Sequence, residues 1–179
     1  MKSWKVNVVT LSGMPGSGTT TAARLIAEAT GLRHVNTGAI FREMARERGV
    51  SLNEFGKLAN QDPSIDRELD ARQIELCRGG GILLEGRLAG YMLKDAGVDC
   101  LAVWLEAPVD VRVSRVSNRE ALPFEAARQL SMEREEDERL RFVEFYGFDL
   151  ARTEVYDLVL DSSRLRPPAI CEAVLVALR

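Results

Sequence analysis

The stretch LSGMPGSGTTTAARLIAEA, residues 11–29, follows the phosphate-binding loop pattern G-x-x-x-x-G-K-[ST] in all but one position. Gly13, Gly18 and Thr20 stand where the pattern requires them, whereas Thr19 stands where the pattern requires a lysine. Three interpretations are open. The loop is a working nucleotide site without its lysine, a degraded site, or a chance run of glycines.

The sequence on either side of the loop is the context that this motif needs. KVNVVTLS, residues 5–12, predicts a buried strand, and TTTAARLIAEATG predicts a helix that ends at Gly31. Glycines let the backbone N–H groups surround phosphate oxygens at the positive end of the helix dipole, and the hydroxyl of Thr20 can bind magnesium. The residues that we expect to contact a nucleotide are Gly13, Met14, Pro15, Gly16, Ser17, Gly18, Thr19 and Thr20. The alternative is a glycine-rich turn without a ligand, for which the absent lysine is the main argument.

Strand and helix patterns alternate along the rest of the chain. Further strands are predicted at RHVN, GILLEG, CLAVWLEA and YDLVLDS, residues 33–36, 81–86, 100–107 and 156–162. Ser51 and Glu54 form a capping box at a helix start, and a long charged helix runs from Pro123 to Tyr146 and ends at Gly147. Strands that alternate with helices pair into parallel sheets. The sequence therefore predicts an α/β fold with a five-stranded parallel sheet flanked by helices.

Composition narrows the class of protein. The chain has 179 residues, of which 46% are hydrophobic and 28% charged, as expected for one globular domain. Its net charge of −3 argues against a nucleic-acid binder, which normally carries a basic face. We expect no signal peptide or membrane span, because no apolar run is long enough. Three widely spaced cysteines predict free thiols in a reducing cytoplasm, and the single histidine, His34, is interpreted as structural.

Arginines recur at helical spacing in the second half of the chain. Arg134 and Arg141 are seven positions apart and therefore share a helix face, and Arg112, Arg115 and Arg119 follow three- and four-residue spacing on the preceding helix. Two such faces joined by the short hinge EALP can fold over a nucleotide as a lid and neutralise a phosphoryl group in transfer. The alternative is a solvated helix with Glu–Arg pairs, since acidic residues stand between the arginines at Glu135, Asp137 and Glu138.

Two further segments place polar residues beside predicted strands. NTGAIFR, residues 36–42, brings a hydroxyl at Thr37, a flexible Gly38 and the cation Arg42 to a strand-to-helix junction. LEGRLAG, residues 84–90, places Glu85 and Arg87 past the carboxyl end of a buried strand, where open α/β sheets bind ligands. A carboxylate there can hold magnesium and an arginine can hold a second phosphate group. Alternatively Glu85 caps the next helix, or the two side chains pair with each other.

These segments together resemble the archaeal-type cytidylate kinases, a branch of the nucleoside monophosphate kinases. The similarity runs through SGMPGSGTTTAARLIAE, TGAIFREMARERG, EFGKLANQDPSIDRELDARQ, LLEGRLAGYML, EDERLRF and YDLVLDSS. The segments TG-x-x-FR and EGRLAG are more diagnostic than the phosphate-binding loop. Bacterial cytidylate kinases are similar in the lid pattern R-[DE]-x-x-[DE]-x-x-R, but they carry an aspartate where this chain has Leu88. The archaeal-type branch uses GSGTT, so the resemblance implies that Thr19 is a family variant within a working site.

The resemblance implies phosphate transfer from ATP to CMP and dCMP. ATP with Mg²⁺ would occupy the phosphate-binding loop, with the ion at Thr20 and Glu85 and with Arg115 and Arg119 close to the nucleotide. CMP would lie between Thr37, Gly38, Arg42 and Arg87, and the transferred group would be neutralised by Arg87, Arg134 and Arg141. The base would be read by Asp66 and Asp70, because carboxylates accept from the cytosine amino group, with Arg72 supporting them.

The resemblance also implies the organisation of the chain. One kinase domain, 1–179, is expected to consist of a core (1–35, 80–118 and 149–179), a nucleoside monophosphate-binding segment (36–79) and a lid (119–148). We expect a cytoplasmic monomer whose partners are small nucleotides. Rival interpretations are an adenylate kinase, a small-metabolite kinase such as a shikimate kinase, and a nucleotide-binding module without turnover.

Overall fold

A five-stranded parallel sheet organises the structure, a computed structural model that describes residues 6–179. The strand order is β2-β3-β1-β4-β5, and every neighbouring pair is parallel. The strands are β1 (Val8–Gly13), β2 (Arg33–Asn36), β3 (Ile82–Glu85), β4 (Leu101–Glu106) and β5 (Leu158–Asp161). The α/β fold that the sequence predicts is confirmed, although the strands are shorter than predicted at some ends. Residue 5 of the predicted first strand lies outside the described residues.

Eight helices connect and flank these strands in the part of the chain that the structure describes. Four of them precede β3: α1 (Thr19–Thr30), α2 (Thr37–Glu47), α3 (Leu52–Ala59) and α4 (Pro63–Arg78). Four follow it: α5 (Ala89–Asp95), α6 (Val109–Glu120), α7 (Phe124–Tyr146) and α8 (Pro167–Ala177). The predicted ends are correct for α1 and α7, where Gly31 and Gly147 adopt the left-handed conformation that glycine tolerates best. The capping box of Ser51 and Glu54 begins α3 as expected. Within residues 6–179, no helix combines the length and the apolar character that a membrane crossing requires.

The sheet is buried on both faces, because adjacent residues of its strands belong to different cores. In β3, Leu83 packs in one core with helices α1 and α8, whereas Leu84 packs in the other with α5 and the end of α7. Both leucines are fully buried. This two-sided burial explains why the central strands consist of continuous apolar runs.

Two helical segments between strands pack on small cores of their own. Helices α2, α3 and α4, which lie between β2 and β3 in the chain, enclose Met44, Phe55 and Ile65. Helices α6 and α7 pack through Val113, Val116 and Ala127. Each segment is thus held by local packing beside the main sheet, which leaves a gap between them above the sheet's carboxyl edge.

We predict opposite effects for two glycine-to-alanine changes in helices. A Cβ atom at Gly90 in α5 would lie 2.5 Å from Cε1 of buried Tyr156, whose ring packs 5.1 Å from that of Trp104. Gly90→Ala should therefore lower the free energy of unfolding by about 1–3 kcal/mol through overpacking. A Cβ atom at Gly56 in α3 would meet nothing within 4 Å, so Gly56→Ala should raise it by about 0.5–1 kcal/mol. Urea denaturation measures both, and effects of the same sign would contradict this packing.

Candidate functional site

A cleft of about 910 Å³ lies at the carboxyl edge of the sheet, between the α2–α4 segment and α7. Its floor comes from the phosphate-binding loop and the end of β3, where Gly13, Thr19, Glu85 and Arg87 line it. The side walls contribute Asn36, Thr37, Gly38, Phe41, Arg42, Lys57, Asn60, Asp66, Asp70, Gln73, Arg134, Glu138, Arg141 and Tyr146. Most of the residues that the sequence singles out therefore meet in one place.

The phosphate-binding loop needs its glycines for two different physical reasons. Gly16 and Gly18 have φ of 81° and 91°, in the left-handed region that side chains disfavour. At Gly13 a Cβ atom would overlap Ser17 Oγ and lie 2.5 Å from the carbonyl oxygen of Leu105. The loop is also closed internally, because Ser17 N donates to Met14 O at 3.0 Å. This backbone is shaped as the motif requires even though Thr19 replaces the lysine.

The carboxylate of Glu85 is the polar centre of the floor. Its Oε1 accepts hydrogen bonds from Thr19 Oγ1 at 2.9 Å and Thr20 Oγ1 at 2.6 Å, and its Oε2 lies 2.9 Å from His34 Nε2. Burial raises the pKa of Glu85, but hydrogen bonds from Thr20, Asn36, Thr19 and His34 outweigh it and lower the pKa below the ordinary value. The group is therefore an anion at neutral pH.

The predicted magnesium ligands Thr20 and Glu85 fit that ion by their chemistry. They bring a hydroxyl oxygen and a carboxylate oxygen 2.6 Å apart at the mouth of the loop. Magnesium prefers such hard oxygen donors and commonly binds through one or two carboxylates together with substrate phosphates. Among residues 6–179, no group of three or more His, Cys, Asp or Glu side chains could hold a metal by itself.

At the end of β2, the residues of the TG-x-x-FR segment lie beside the end of β3. Thr37 Oγ1 donates to Gln73 Oε1 at 2.5 Å, and Gly86 must lack a side chain because a Cβ atom there would overlap Thr37 Oγ1. Arg42 lines the cleft, and within the described residues it makes no ion pair. A phosphate bound at this junction would lie close to the hydroxyl of Thr37, the backbone of Gly86 and the guanidinium of Arg42.

Two carboxyl groups of α4 form an acidic end to the cleft. Burial raises the pKa of Asp66, although Arg141 opposes that effect. Burial, and to a smaller extent the charge of Asp66, raise the pKa of Asp70 to about 6. The hydrogen bond from Tyr146 Oη, which is 2.7 Å from Oδ2, acts in the opposite direction. Gln73 Nε2 is 3.4 Å from the other oxygen of Asp70. The pair thus presents oxygen acceptors from a rigid, partly desolvated position.

Helix α7 contributes cations to the opposite wall, and each is paired with a carboxylate. Arg87 and Arg134 both donate to Glu138, Arg134 at 2.9 Å. Burial raises the pKa of Glu138, but the two arginines outweigh this effect and lower the pKa below its ordinary value. Arg141 Nη1 is 3.3 Å from Asn60 Oδ1, and its Nε is 3.7 Å from Asp66 Oδ2. The arginines predicted to act on the transferred group therefore face the cleft.

Several residues predicted at the site lie elsewhere. Arg72 does not support Asp66 and Asp70, because its guanidinium is held by Glu47 at 2.6 Å and by Glu68 at 2.8 Å on the outer surface. Arg119 is exposed and pairs with its neighbour Glu120 at 2.7 Å. Arg115 lies behind the phosphate-binding loop, where its Nη1 donates to Gly16 O at 3.1 Å.

The structure also places residues in the site that the sequence interpretation missed. His34 was interpreted as structural, yet its ring contacts Glu85. The parallel register pairs Asn36 with Glu85, so His34 lies two residues earlier on the same face of β2, a signal that only the register reveals. Gln73 and Tyr146 reach the cleft from α4 and α7, and nothing in the sequence spacing links them to it. Glu138, the second acid of the lid pattern, lines the cleft as well.

Known proteins resemble this chain along most of its length. Residues 8–164 match the model of a cytidylate kinase-like family. A cytidylate kinase of Pyrococcus horikoshii is 46% identical over 171 residues, covering 96% of this chain and 88% of the relative. One of Methanopyrus kandleri is 49% identical over 164 residues, covering 88% of this chain and 85% of the relative. A solved shikimate kinase of Bacteroides thetaiotaomicron, at 12% identity, shares the fold with a TM-score of 0.65 over 96% of this chain and 97% of its own.

We predict that Asp70 makes stability depend on pH. Its pKa is raised from 3.8 to about 6 in the folded protein, so the folded state holds this proton more tightly than the unfolded state. The free energy of unfolding should fall as the pH rises between those values, and the loss should be complete above them. Asp70→Asn removes the titration and keeps an acceptor for Tyr146. The Tm of the variant should therefore fall less than that of the wild type between about pH 4.5 and about pH 7.5. Parallel Tm profiles would contradict the raised pKa.

Proposed function

The chain belongs to the cytidylate kinase-like family, and on that premise we propose that it transfers the γ-phosphate of ATP to CMP and dCMP, giving ADP with CDP or dCDP. The observation that carries the proposal is the continuity of one cleft, which Thr19 of the phosphate-binding loop, Arg87 and the acidic pair Asp66 and Asp70 all line. A donor phosphate, an acceptor phosphate and a base with an amino group can thus be bound side by side.

The donor is held by the phosphate-binding loop. The N–H groups of the loop and the start of α1 bind the β- and γ-phosphates, because a helix N-terminus favours anions. Thr20 and Glu85 would hold magnesium, which neutralises charge on the donor phosphates. Thr19 contributes its backbone N–H to the loop and keeps its hydroxyl on Glu85.

The acceptor phosphate is bound by Thr37, Gly38, Arg42 and Arg87. One of its oxygens attacks the γ-phosphorus while the bond from that phosphorus to the β-phosphate oxygen breaks, and ADP leaves with that electron pair. The nucleophile is already ionised, so no general base is needed. Catalysis consists of placing two anions in line and neutralising the charge on the transferred group, which Arg87, Arg134 and Arg141 do.

The base is selected at the acidic end of the cleft. Asp66 and Asp70 accept from the exocyclic amino group of cytosine, whereas uracil would present a carbonyl oxygen to the same acceptors. Two acceptors that face each other in a partly desolvated site leave polar groups unpaired, which costs binding free energy. The pair therefore favours cytosine over uracil.

The chain is organised around this reaction. We propose that residues 36–79 bind the acceptor and that residues 119–148 form a lid, whose closure excludes water from the phosphoryl group. We propose that the protein acts as a monomer. Cys77, Cys100 and Cys171 are free and buried, which suits a reducing cytoplasm.

An acceptor screen tests the proposed reaction. ADP formation from ATP and magnesium is measured with CMP, dCMP, UMP, AMP and shikimate, and without acceptor. We expect turnover with CMP and dCMP, and kcat/KM for UMP at least about tenfold lower because of the unpaired acceptors. Preferred turnover of AMP or shikimate would replace the substrate in this proposal, and no turnover with any acceptor would leave a nucleotide-binding module.

A second test compares arginines of α7. Arg134→Ala and Arg141→Ala should each lower kcat by about 10²-fold, the scale expected for a lost contact to transition-state charge. Arg139→Ala is the matched control, because Arg139 lies on the same helix, is exposed and pairs with Glu136. The control should keep wild-type kinetics, and Tm should change little in all variants. Wild-type rates in Arg134→Ala and Arg141→Ala would show that these two arginines do not act on the transferred group.

A further inference from the structure

Three carbonyl groups of the phosphate-binding loop accept hydrogen bonds from arginines. A loop that turns its N–H groups towards phosphate turns carbonyl oxygens away from it, and those oxygens need donors. Arg87 Nη1 donates to Gly13 O at 3.2 Å, Arg112 Nη1 to Pro15 O at 3.3 Å, and Arg115 Nη1 to Gly16 O at 3.1 Å. Arg87 makes this contact from the cleft, whereas Arg112 and Arg115, both on α6, hold the loop from the side away from the cleft.

Arg115 differs from the other two in its charge balance. Arg87 is paired with Glu138, and Arg112 with Glu135. Arg115 makes no ion pair within residues 6–179. Its remaining hydrogen bonds go to Ser162, to the carbonyl oxygen at 2.7 Å and to Oγ at 3.0 Å, and both acceptors are neutral. The positive charge of Arg115 is thus directed at the loop and is not cancelled by a carboxylate there.

The position of Arg115 beside the loop is fixed by packing. The backbone of α6 lies so close to the loop that a Cβ atom at Gly16 would overlap the carbonyl oxygen of Arg112. A Cβ atom at Gly18, immediately before α1, would lie 3.8 Å from Arg115 Nη1. The guanidinium therefore stands next to the helix N-terminus that binds anions, and the buried Ser162 holds it there.

We propose that Arg115 supplies, from behind the phosphate-binding loop, the positive charge that the lysine of the motif ordinarily supplies from within it. Arg115 is a positioning residue, since it acts through the carbonyl of Gly16 and through its field at the adjacent N–H groups. Thr19 then needs no charge, and its hydroxyl is used on Glu85 instead. The inference rests on the proposed function only in taking ATP as the ligand of the loop.

The first test is ATP binding measured by calorimetry with magnesium and without acceptor. Arg115→Gln should weaken ATP binding by roughly tenfold, and Arg115→Lys, which keeps the charge but loses the fork, should weaken it less. Arg128→Gln is the matched control, because Arg128 is an exposed arginine that pairs with Asp110 at 3.2 Å, and its loss should leave ATP affinity unchanged. Wild-type ATP affinity in Arg115→Gln would overturn the proposal.

A double-mutant cycle with Thr19→Lys separates charge supply from a purely structural role. In the wild type the added lysine should leave ATP affinity unchanged or lower it, because Arg115 already supplies positive charge at the loop. In Arg115→Gln the same lysine should restore at least about half of the lost binding free energy. An equal effect of Thr19→Lys on ATP affinity in both backgrounds would overturn the proposal, since it would mean that the two side chains act independently.

Separate control measurements test whether the variants fold and whether the proposed function is correct. Tm and the affinity for CMP show whether Arg115→Gln keeps its fold, and if it does not, the cycle is run with Arg115→Lys. Equal ATP binding by that variant and by its Thr19→Lys double variant then supports the proposal, and a large gain from the added lysine overturns it. A wild type that binds ATP but does not phosphorylate CMP would refute the proposed function and leave the inference about Arg115 intact.

Discussion

Glu85 must remain ionised although it is 5% exposed, and the rest of the site depends on that constraint. A buried carboxylate is tolerated only when donors surround it. The donors come from the start of α1 and from β2, through Thr19, Thr20 and His34, so satisfying this one charge joins three elements at the carboxyl edge of the sheet. The same anion then stands beside the phosphate-binding loop, where magnesium would be bound.

The arginines that line the cleft from β3 and α7 are paired with carboxylates of the protein itself. Arg87 and Arg134 share Glu138, and Arg141 faces Asp66. A phosphate carries more charge than a carboxylate and accepts more hydrogen bonds from a guanidinium, so it competes for these cations. Glu138 of α7 and Asp66 of α4 thus hold these arginines in place and keep the partly buried Arg87 and Arg141 from being unpaired. Arg139 and Glu136 of the same helix pair with each other and are partly exposed to solvent.

Patterns within a short stretch of sequence predicted the sheet, the shape of the loop and the positions of Glu85 and Arg87. Interpretations of isolated charges were less successful. Asp66 and Asp70 are one turn apart and share a face of α4, but Arg72 is two residues further, about 200° around the helix from Asp70, and it binds Glu47 and Glu68 instead. Residue spacing within a helix cannot predict contacts between distant parts of the chain. Tyr146 and Asp70, for example, are separated by 76 positions.

Those long-range contacts connect the parts of the acceptor site to one another. Thr37 donates to the side-chain oxygen of Gln73, the amide nitrogen of Gln73 faces Asp70, and Tyr146 of α7 donates to the other oxygen of Asp70. Gln73 is 3% exposed, and its amide nitrogen also donates to Leu69 O at 3.2 Å, so turning the amide would leave Leu69 O and Asp70 without this donor. In the function proposed above, the phosphate contact at Thr37 and the base contact at Asp70 therefore share the amide of Gln73, and Tyr146 connects Asp70 to the end of α7. One chain of hydrogen bonds thus connects the residues proposed to bind the phosphate and the base with the end of α7.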